Sequence, residues 1–573
     1  MIVQWFLKLP PAPNQMKTFS SLSIQVGFSC LIAGMLLPNL HAELPATDSG
    51  PPVPVIDMHT HVFNSRDLPL SGAIQAMAAG WVKKPVANLL REAFLTLTAP
   101  DDLDGPFPPP AKVEGNAEDG SAILSVPTTE SAATATVAPR VLTSPQRDQL
   151  RAIAGMKPTK GINVMESKAQ AVADRQLLAQ ALRNVGFPPQ ESGETSPENK
   201  MLSVGLDGYL RFVDIMTDGN LRIAYRLITE EYPKTDLFVH HMMDMEMGYA
   251  EKPQFPFADQ IQRMARLDNR MQGDYTGRLI HFVAFDPFRR EKALETMLMG
   301  LKAGAVGVKF YPPSGYRATG NEIPKRPGWS SSSASKERWD SRYKHLKNSQ
   351  LDQIIDGLFR YCVSNDLPIF THCTPAGFEA DRDYGWMADP QFWGQVLSNY
   401  PTLKLCFGHS GGEAYWFADG KKSVDKHEHR RRSFGTNVVQ LCLTYPNVYC
   451  EVGYLEPILE TKSFGLYTNR LASVINRVSV DGQWRFGDKL MYGTDWHMLH
   501  KVDHHERYLA AFDQIMTRST FASYHRKFFS GNATKFLNLK KLLADNRFTD
   551  GQQKVWAELA AKAEFAAPVS PTK

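Results

Sequence analysis

The chain has 573 residues, of which 43% are hydrophobic and 22% are charged, and its formal net charge is +4. This composition is typical of a folded globular protein and excludes a largely disordered one. So small a positive excess gives no reason to expect nucleic acid or an anionic membrane surface as a partner, and six cysteines are too few for a disulfide scaffold.

The first 42 residues differ from the rest of the chain. Met16-Lys17 precedes a mostly apolar run from Phe19 to Leu37, and the small residue Ala42 follows. This order is typical of a secretory signal peptide and predicts a periplasmic or secreted protein without a stable membrane span after cleavage. An uncleaved membrane anchor is the weaker alternative, because serines and Gln25 interrupt the run.

Eight short apolar runs follow, each bounded by turn residues and separated from the next by helical patterns. They are Val55–Met58, Leu237–His241, Leu279–Phe285, Val306–Tyr311, Pro368–His372, Leu403–His409, Val448–Val452 and Leu490–Gly493. Eight strands that alternate with helices predict an α/β fold, namely a closed parallel (β/α)8 TIM barrel.

Such a barrel needs roughly 250 residues, so the remaining residues must form long loop insertions. We predict a signal peptide over 1–42, a linker over 43–54, the barrel over 55–540 with an insertion at about 64–200, and a C-terminal helix and tail over 541–573. Within the insertion, residues 100–145 are rich in Pro, Ala, Thr and Ser, which predicts a loop without fixed structure.

Candidate metal ligands follow the ends of four predicted strands. His59 and His61 alternate along the first strand, so their side chains share one face. The fifth strand ends in His372, the sixth in His409, and the eighth is followed by Asp495. Because active sites of such barrels lie at the carboxyl ends of the strands, and a buried carboxylate needs a cation, this set predicts a metal site at the barrel mouth.

As an ordered set, these motifs resemble the amidohydrolase superfamily, specifically its amidohydrolase-related branch, which includes aminocarboxymuconate-semialdehyde decarboxylase. The resemblance runs from about Val55 to Leu539 outside the long insertions. The segments that carry it are Ile56–His61, Gly307–Pro313, Thr371–His372, Phe407–Gly412, Tyr492–Trp496 and Gly531–Ala533.

The resemblance implies one divalent metal ion with His59, His61, His372 and Asp495 as its ligands. It also implies that His409 is the base or electrophile that orients a metal-bound water, and that Asp495 transfers protons as well. Zn²⁺ is the expected ion because three imidazoles and a carboxylate suit it, with Mn²⁺, Co²⁺ and Fe²⁺ as alternatives.

Lys309 on the fourth strand has two alternative roles. It shares a strand face with Tyr311, and with Tyr311 and Arg317 it is expected to bind a substrate carboxylate or to form a structural salt bridge. In some relatives a lysine on this strand becomes a carbamate that bridges two metals. Trp496 is a candidate pocket residue, although large aromatic residues there are as often core. We expect Asp503–Glu506 to be an exposed helix start rather than a ligand cluster.

These observations predict a metal-dependent hydrolase that uses a metal-activated water to cleave an ester, lactone or amide bond of a small substrate, which can carry a carboxylate. A non-oxidative decarboxylase with the same metal site is the alternative. A non-catalytic envelope binding protein is a weaker third hypothesis, because all the candidate residues are present. The expected partner is a small molecule, and a homo-oligomer is compatible with the sequence.

Overall fold

The computed structural model describes residues 52–78, 82–100, 103, 140–157, 168–187, 205–347, 349–418 and 426–564. The predicted signal peptide, and most of the loop predicted at 100–145, lie outside these residues. One sheet contains eight strands in the order β1 to β8, and all the pairs are parallel. The strands are β1 (Ile56–Thr60), β2 (Leu237–His241), β3 (Leu279–Phe285), β4 (Gly307–Phe310), β5 (Ile369–Thr371), β6 (Leu405–Phe407), β7 (Val448–Glu451) and β8 (Leu490–Met491).

Backbone hydrogen bonds bring the last strand back to the first. The N–H of Met58 donates to the carbonyl of Tyr492 at 3.0 Å, and the N–H of Asp495 donates to the carbonyl of His59 at 2.6 Å. The sheet is therefore a nearly closed barrel. All eight strands lie where the apolar runs predict them, and the (β/α)8 fold class is confirmed.

Helices surround the barrel and fill its insertions. Between β1 and β2 lie α1 (Leu70–Met77), α2 (Lys84–Leu97), α3 (Ser144–Ile153), α4 (Lys168–Val185), α5 (Leu206–Met216) and α6 (Asn220–Arg226). From β2 to β6 the helices are α7 (Glu246–Tyr249), α8 (Phe257–Arg270), α9 (Glu291–Lys302), α10 (Ser333–Tyr343), α11 (Gln350–Ser364) and α12 (Trp393–Asn399). After β6 come α13 (Glu413–Trp416), α14 (Lys426–Thr444), α15 (Thr461–Val474), α16 (Trp496–Leu499), α17 (Tyr508–Met516), α18 (Asn532–Leu537), α19 (Leu539–Leu542) and α20 (Asp550–Glu564).

Among the helices of the described ranges, none combines the length and the apolar character needed to cross a bilayer.

Two apolar layers position the strands. Inside the barrel, side chains such as Ile56, Val239 and Phe370 form one buried cluster, which α18 and α20 extend with Phe536 and Trp556. A second and larger cluster packs the outer faces of the strands against the surrounding helices. Burial of both strand faces explains why the strands appear in the sequence as continuous apolar runs rather than as alternating patterns.

A bulge in β1 directs the first two candidate ligands into the barrel mouth. Asp57 pairs with Phe238 but Thr60 pairs with His240, so β1 has one residue more than β2 over this stretch. Met58 lies in the apolar cluster inside the barrel, and its neighbour His59 also turns toward the mouth, which strict alternation would forbid.

The turn after β6 requires glycine at Gly411. Its φ is +84°, and a Cβ there would lie 2.5 Å from the backbone nitrogen of Gly435 on α14. The close approach of α14 to this turn therefore depends on a residue without a side chain, and the turn carries His409.

We predict that Gly411→Ala lowers the free energy of unfolding by about 2–4 kcal/mol, because it adds left-handed backbone strain to a clash with backbone atoms. Urea denaturation of the purified protein measures this. Gly394→Ala is the control, since Gly394 in α12 has open space around its Cα and alanine there should be neutral or stabilising. Equal effects of the two substitutions would contradict the prediction.

Candidate metal centre at the barrel mouth

The predicted site residues of β1, β5, β6 and β8 meet at the mouth of the barrel. The Oδ1 of Asp495 lies 3.4 Å from the Nε2 of His61 and 3.9 Å from the Nε2 of His59. On the other side of the cluster, the Nε2 of His409 lies 3.2 Å from the Nδ1 of His372. Each of these five residues is at most 7% exposed.

Fixed acceptors orient the two histidines of β1. The Nδ1 of His59 lies 3.0 Å from the Oε1 of Glu451, and the Nδ1 of His61 donates to the carbonyl of His241 at 2.7 Å. A carbonyl oxygen can only accept, so the ring of His61 carries its proton on Nδ1 and its lone pair on Nε2. Both Nε2 atoms face the carboxylate of Asp495.

The other two rings are held in the same way. His409 donates from Nδ1 to the carbonyl of Gly453 at 2.8 Å, and His372 donates from Nε2 to the carbonyl of Ala376 at 2.7 Å. The lone pairs of these neutral rings therefore lie on the Nε2 of His409 and the Nδ1 of His372, which face each other. Metal-binding histidines have this arrangement, in which the outer nitrogen donates to a carbonyl or carboxylate and the inner one is left for the ion.

The donor atoms of His59, His409 and Asp495 all lie within 4.8 Å of one another. This spacing suits a single metal ion, and nitrogen and carboxylate oxygen donors suit a transition metal such as zinc. The sequence predicts His59, His61, His372 and Asp495 as the ligands and His409 as a base. In the structure His409 belongs to this close group of three, whereas the predicted ligands His61 and His372 lie outside it.

Burial keeps the imidazoles of this cluster in their neutral form. It lowers the pKa of His59, His61 and His372 well below the ordinary value, and the charge of Lys309 and the neighbouring histidines act in the same direction. Burial also lowers the pKa of His409 to about 3. Only neutral imidazole can bind a metal or accept a proton, so all four rings are in the state that this chemistry requires.

Glu451 of β7 is a site residue that our sequence interpretation missed. It is fully buried, and its Oε1 accepts the backbone N–H of His409 at 2.7 Å as well as facing the Nδ1 of His59. Burial raises the pKa of this carboxyl to about 8, against the backbone N–H groups of His409 and Gly453 that favour its charged form. A glutamate at the end of an apolar strand was the signal that could have identified it.

Asp57 connects β1 to the loop that carries Asp495. Its carboxylate accepts the backbone N–H of Thr494 at 2.9 Å, the hydroxyl of Thr494 at 2.6 Å and the backbone N–H of His59 at 3.0 Å. Burial raises the pKa of Asp57 to about 7, while these hydrogen bonds act to lower it. The aspartate of the Asp57–His61 motif thus aligns two elements of the site instead of facing its centre.

The backbone is strained where two of the site residues lie. His409 has φ +57° and Asp495 has φ +50°, values that L-residues adopt at a cost of about 1–3 kcal/mol. The buried hydrogen bonds of Glu451 and His59 to these two residues hold them in this conformation.

Lys309 and Tyr311 lie beside the cluster. The Nζ of Lys309 is 3.3 Å from the Nε2 of His59 and 4.5 Å from the ring centroid of Phe370, and the residue is 1% exposed. The ring of Tyr311 lies 4.9 Å from that of His372, and its hydroxyl accepts the backbone N–H of Phe378. Lys309 therefore places a buried positive charge at the edge of the cluster.

The contacts described for Arg317 and Trp496 lie outside the metal cluster. The guanidinium of Arg317 lies over the ring of Phe392 at 4.7 Å and donates to the carbonyl of Gly320 in its own loop. Trp496 is fully buried, with its ring 5.6 Å from that of His500. Their predicted contact with substrate stays a prediction.

A second group of metal-type ligands lies outside this site and joins Glu231, before β2, to His500 and His505, after β8. His505 is 8% exposed, so the prediction of an exposed helix start is wrong for this residue. Its Nε2 is 2.8 Å from Glu231, and Arg226 donates to the Nε2 of His500 at 3.0 Å. Because a guanidinium only donates, the proton of neutral His500 must lie on the Nδ1 that faces the group. We interpret the group as a hydrogen-bonded ion-pair network.

Comparison with known proteins finds a family model that matches the later part of the barrel. Residues 257–539 match the family model Amidohydro_2, described as amidohydrolase. This match confirms the predicted resemblance to the amidohydrolase superfamily and its amidohydrolase-related branch, and with it the prediction that the chain is an enzyme. The match begins after the first insertion and so includes His372, His409 and Asp495 but not the motif of β1.

Solved structures that match this chain include a zinc-bound amidohydrolase from Burkholderia multivorans, 10% identical, with 57% of this chain and 91% of that chain covered at a TM-score of 0.35. An amidohydrolase from Mycobacterium avium subsp. paratuberculosis K-10 is 15% identical, with 56% and 74% covered at 0.30. A manganese-bound dihydroxybenzoic acid decarboxylase from Polaromonas sp. JS666 is 13% identical, with 55% and 85% covered at 0.32. The comparison with curated proteins gives no match.

We predict that Glu451→Gln weakens metal binding about 10–100-fold, because an amide replaces the acidic group that orients His59. Competition with a chromophoric zinc chelator measures the affinity. Glu506→Gln is the matched control, since the Glu506 side chain is 38% exposed and lies outside the cluster. Equal affinities of Glu451→Gln and the control would contradict the role of Glu451.

Proposed function

We propose that the protein is a metal-dependent hydrolase that cleaves an ester, lactone or amide bond of a small substrate. One observation carries the proposal: four buried, neutral imidazoles each bind an acceptor through one nitrogen, and the other nitrogen of each faces another member of the cluster that contains Asp495. A hydrophobic core has no use for such an arrangement, because buried lone pairs need a donor, and the lone pairs of His372 and His409 face each other instead.

The donor set fits a divalent ion, and we propose Zn²⁺ as that ion, with Mn²⁺, Co²⁺ and Fe²⁺ as alternatives. His59, His61, His372 and Asp495 would hold it, and the position of His409 makes it a further candidate ligand. A divalent ion bound there lowers the pKa of a water toward ~7 and polarises a carbonyl oxygen.

His409 and Asp495 are the groups that would move protons. The Nδ1 proton of His409 is committed to the carbonyl of Gly453, so only its Nε2 can take up a proton, and this atom faces the cluster. Asp495 lies beside the Nε2 of His61 and can accept or return a proton on its carboxylate oxygen. The two groups lie in the turns after separate strands, β6 and β8, which lets one act on the nucleophile and the other on the leaving group.

The charge of Lys309 supports a substrate with a carboxylate. Its ammonium is 3.3 Å from the Nε2 of His59, which is a candidate ligand atom, so a metal there would place two cations close together. An anion between them removes this repulsion, and a substrate carboxylate supplies one, with Tyr311 nearby. A carbamate on Lys309 that bridges two metals is the alternative, and two metal ions per chain would support it.

The same positive charge also favours the second candidate function, a non-oxidative decarboxylase, because such an enzyme must bind a carboxylate. A panel of lactones, esters and aromatic carboxylates separates the two. Acid release followed by titration supports hydrolysis, and release of CO₂ supports decarboxylation. Turnover of none of these compounds by metal-loaded protein would favour a binding protein.

Export is part of the proposal. We propose that residues 1–42 are a signal peptide and that the mature protein is periplasmic or secreted. Sequencing the N-terminus of the protein purified from cells tests this, since a start near residue 43 supports cleavage and an intact N-terminus opposes it.

We predict that the protein binds about one metal ion per chain and that His59→Ala reduces this content to near zero. His409→Ala is the contrasting variant. It should retain the metal and lose about 10²–10⁴-fold in kcat if His409 acts as a base. Metal content by mass spectrometry, together with steady-state kinetics, measures both. Full metal content in His59→Ala, or unchanged turnover in His409→Ala, would contradict the assigned roles.

We predict that Lys309→Met raises the KM of carboxylated substrates about 10–100-fold, because it removes a charge-assisted hydrogen bond. The KM of neutral substrates should stay the same or fall. The test compares two substrates of the same variant: an ester that bears a free carboxylate, and the same compound with that carboxylate methylated. A general loss of folding would affect both substrates alike. Equal changes for both would contradict a carboxylate-binding role.

A further inference from the structure

An unbroken series of rings spans the barrel mouth above the candidate metal centre. Neighbouring rings have centroid separations between 4.1 and 6.4 Å. We name this series the aromatic arch, and its members in order are His61, Phe63, His497, Phe212, Phe187 and Phe378.

Each end of the aromatic arch is connected to a candidate ligand. One end is His61 itself. At the other end, the backbone N–H of Phe378 donates to the hydroxyl of Tyr311, whose ring contacts that of His372. The middle of the arch comes from the first insertion, where Phe187 and Phe212 are at most 1% exposed. The insertion therefore covers the centre in this conformation.

The position of Phe187 is set by the end of α4. Gly186 has φ +68°, its N–H donates to the carbonyl of Arg183, and the N–H of Phe187 donates to the carbonyl of Leu182. This is a Schellman motif, in which a glycine ends the helix and the next residue is an apolar contact. The apolar residue contacts the ring of Phe378 on the far side of the mouth.

The two sides of the arch differ in how they are attached. On the barrel side, Ala380 donates to the carbonyl of Pro313, and the buried Arg342 donates to the carbonyl of Ala380. On the insertion side, α5 is fixed to the loop after β8, where Arg211 donates to the carbonyls of His500 and Lys501.

Among the described residues, helices α3 and α4 contact each other, α5 and α2, where Gln146 of α3 donates to the hydroxyl of Thr96. Arg147 of α3 pairs with Asp174 of α4 at 2.8 Å, and Asn184 donates to the carbonyl of Ile153. Arg175 donates to the hydroxyl of Thr217 after α5. All these partners belong to the first insertion, whereas the ring contact of Phe187 joins this helix pair to the barrel loop after β5.

We propose that the α3–α4 pair is a lid over the barrel mouth and that the contact between Phe187 and Phe378 is its latch. Ligands reach the centre when Phe187 separates from Phe378. When the two rings are in contact again, the closed arch excludes bulk water. The inference rests on the proposed function only in naming the site that the lid covers.

His497 provides a probe of opening that needs neither metal nor turnover. It is fully buried in the arch, its Nε2 donates to the carbonyl of Phe63, and its Nδ1 has no hydrogen-bond partner in the described part of the chain. His525 is an internal control. It is also fully buried, with its Nε2 bound to Asp513 and its Nδ1 without a partner among the described residues, and it lies outside the arch. Diethyl pyrocarbonate acylates an unprotonated imidazole nitrogen once solvent can reach it.

The experiment compares acylation rates at His497 and His525, measured by peptide mass spectrometry of the full chain. We expect Phe187→Ala to raise the rate at His497 about tenfold, because loss of a buried aromatic contact favours the open form. The rate at His525 should not change. Leu178→Ala is the matched control, since Leu178 is fully buried within α4 but is not part of the arch; it should lower stability without raising the rate at His497.

Three results would overturn the lid. An unchanged rate at His497 in Phe187→Ala shows that the latch does not control access. An equal rise at His497 and His525 shows general unfolding, and an equal effect of Leu178→Ala shows that the insertion is merely destabilised. A selective rise at His497 supports the lid even in protein that binds no metal, so failure of the proposed function and failure of the lid are distinguishable.

Discussion

The site depends on the commitment of one nitrogen of each imidazole to a fixed acceptor. Burying four histidines in one barrel mouth is costly, because every buried polar atom without a partner destabilises the fold. Glu451 and three backbone carbonyls satisfy the outer nitrogens, and they fix which nitrogen of each ring carries the lone pair. The fold thus brings several buried lone pairs together, where they can bind a cation or a proton. Rotation of any one ring would break a hydrogen bond and lose this convergence.

The sequence predicts the barrel well because the burial pattern of each parallel strand is visible within one short segment of the chain. Both faces of each strand are buried, so each strand appears as a short apolar run between turn residues, as Leu237–His241 and Leu279–Phe285 show. The candidate ligands are also predictable, since the carboxyl ends of such strands meet at one edge whatever their separation along the chain. The convergence of His59 with Asp495 follows from this rule.

The supporting residues were harder to predict, because their role depends on three-dimensional neighbours. Glu451 lies at the end of an apolar run, and nothing in its own segment shows that His59 lies 3.0 Å away. The acceptors of His61, His372 and His409 are backbone carbonyls, which any residue supplies, so no residue type marks them. Asp57 belongs to a recognised motif, yet its bonds to Thr494 depend on how the barrel closes. The ring contacts of Phe187 and Phe212 likewise depend on how the insertion folds over the mouth.

The bond between Asp57 and Thr494 joins residues that are 437 positions apart in the chain. During synthesis, β1 leaves the ribosome long before β8 exists, so the early histidines lack Asp495 until most of the polypeptide has emerged. Assembly of the centre is therefore one of the latest events in folding, and it coincides with the long-range closure that makes such topologies slow. A nascent or prematurely ended chain that lacks Asp495 therefore cannot offer the complete set of donors.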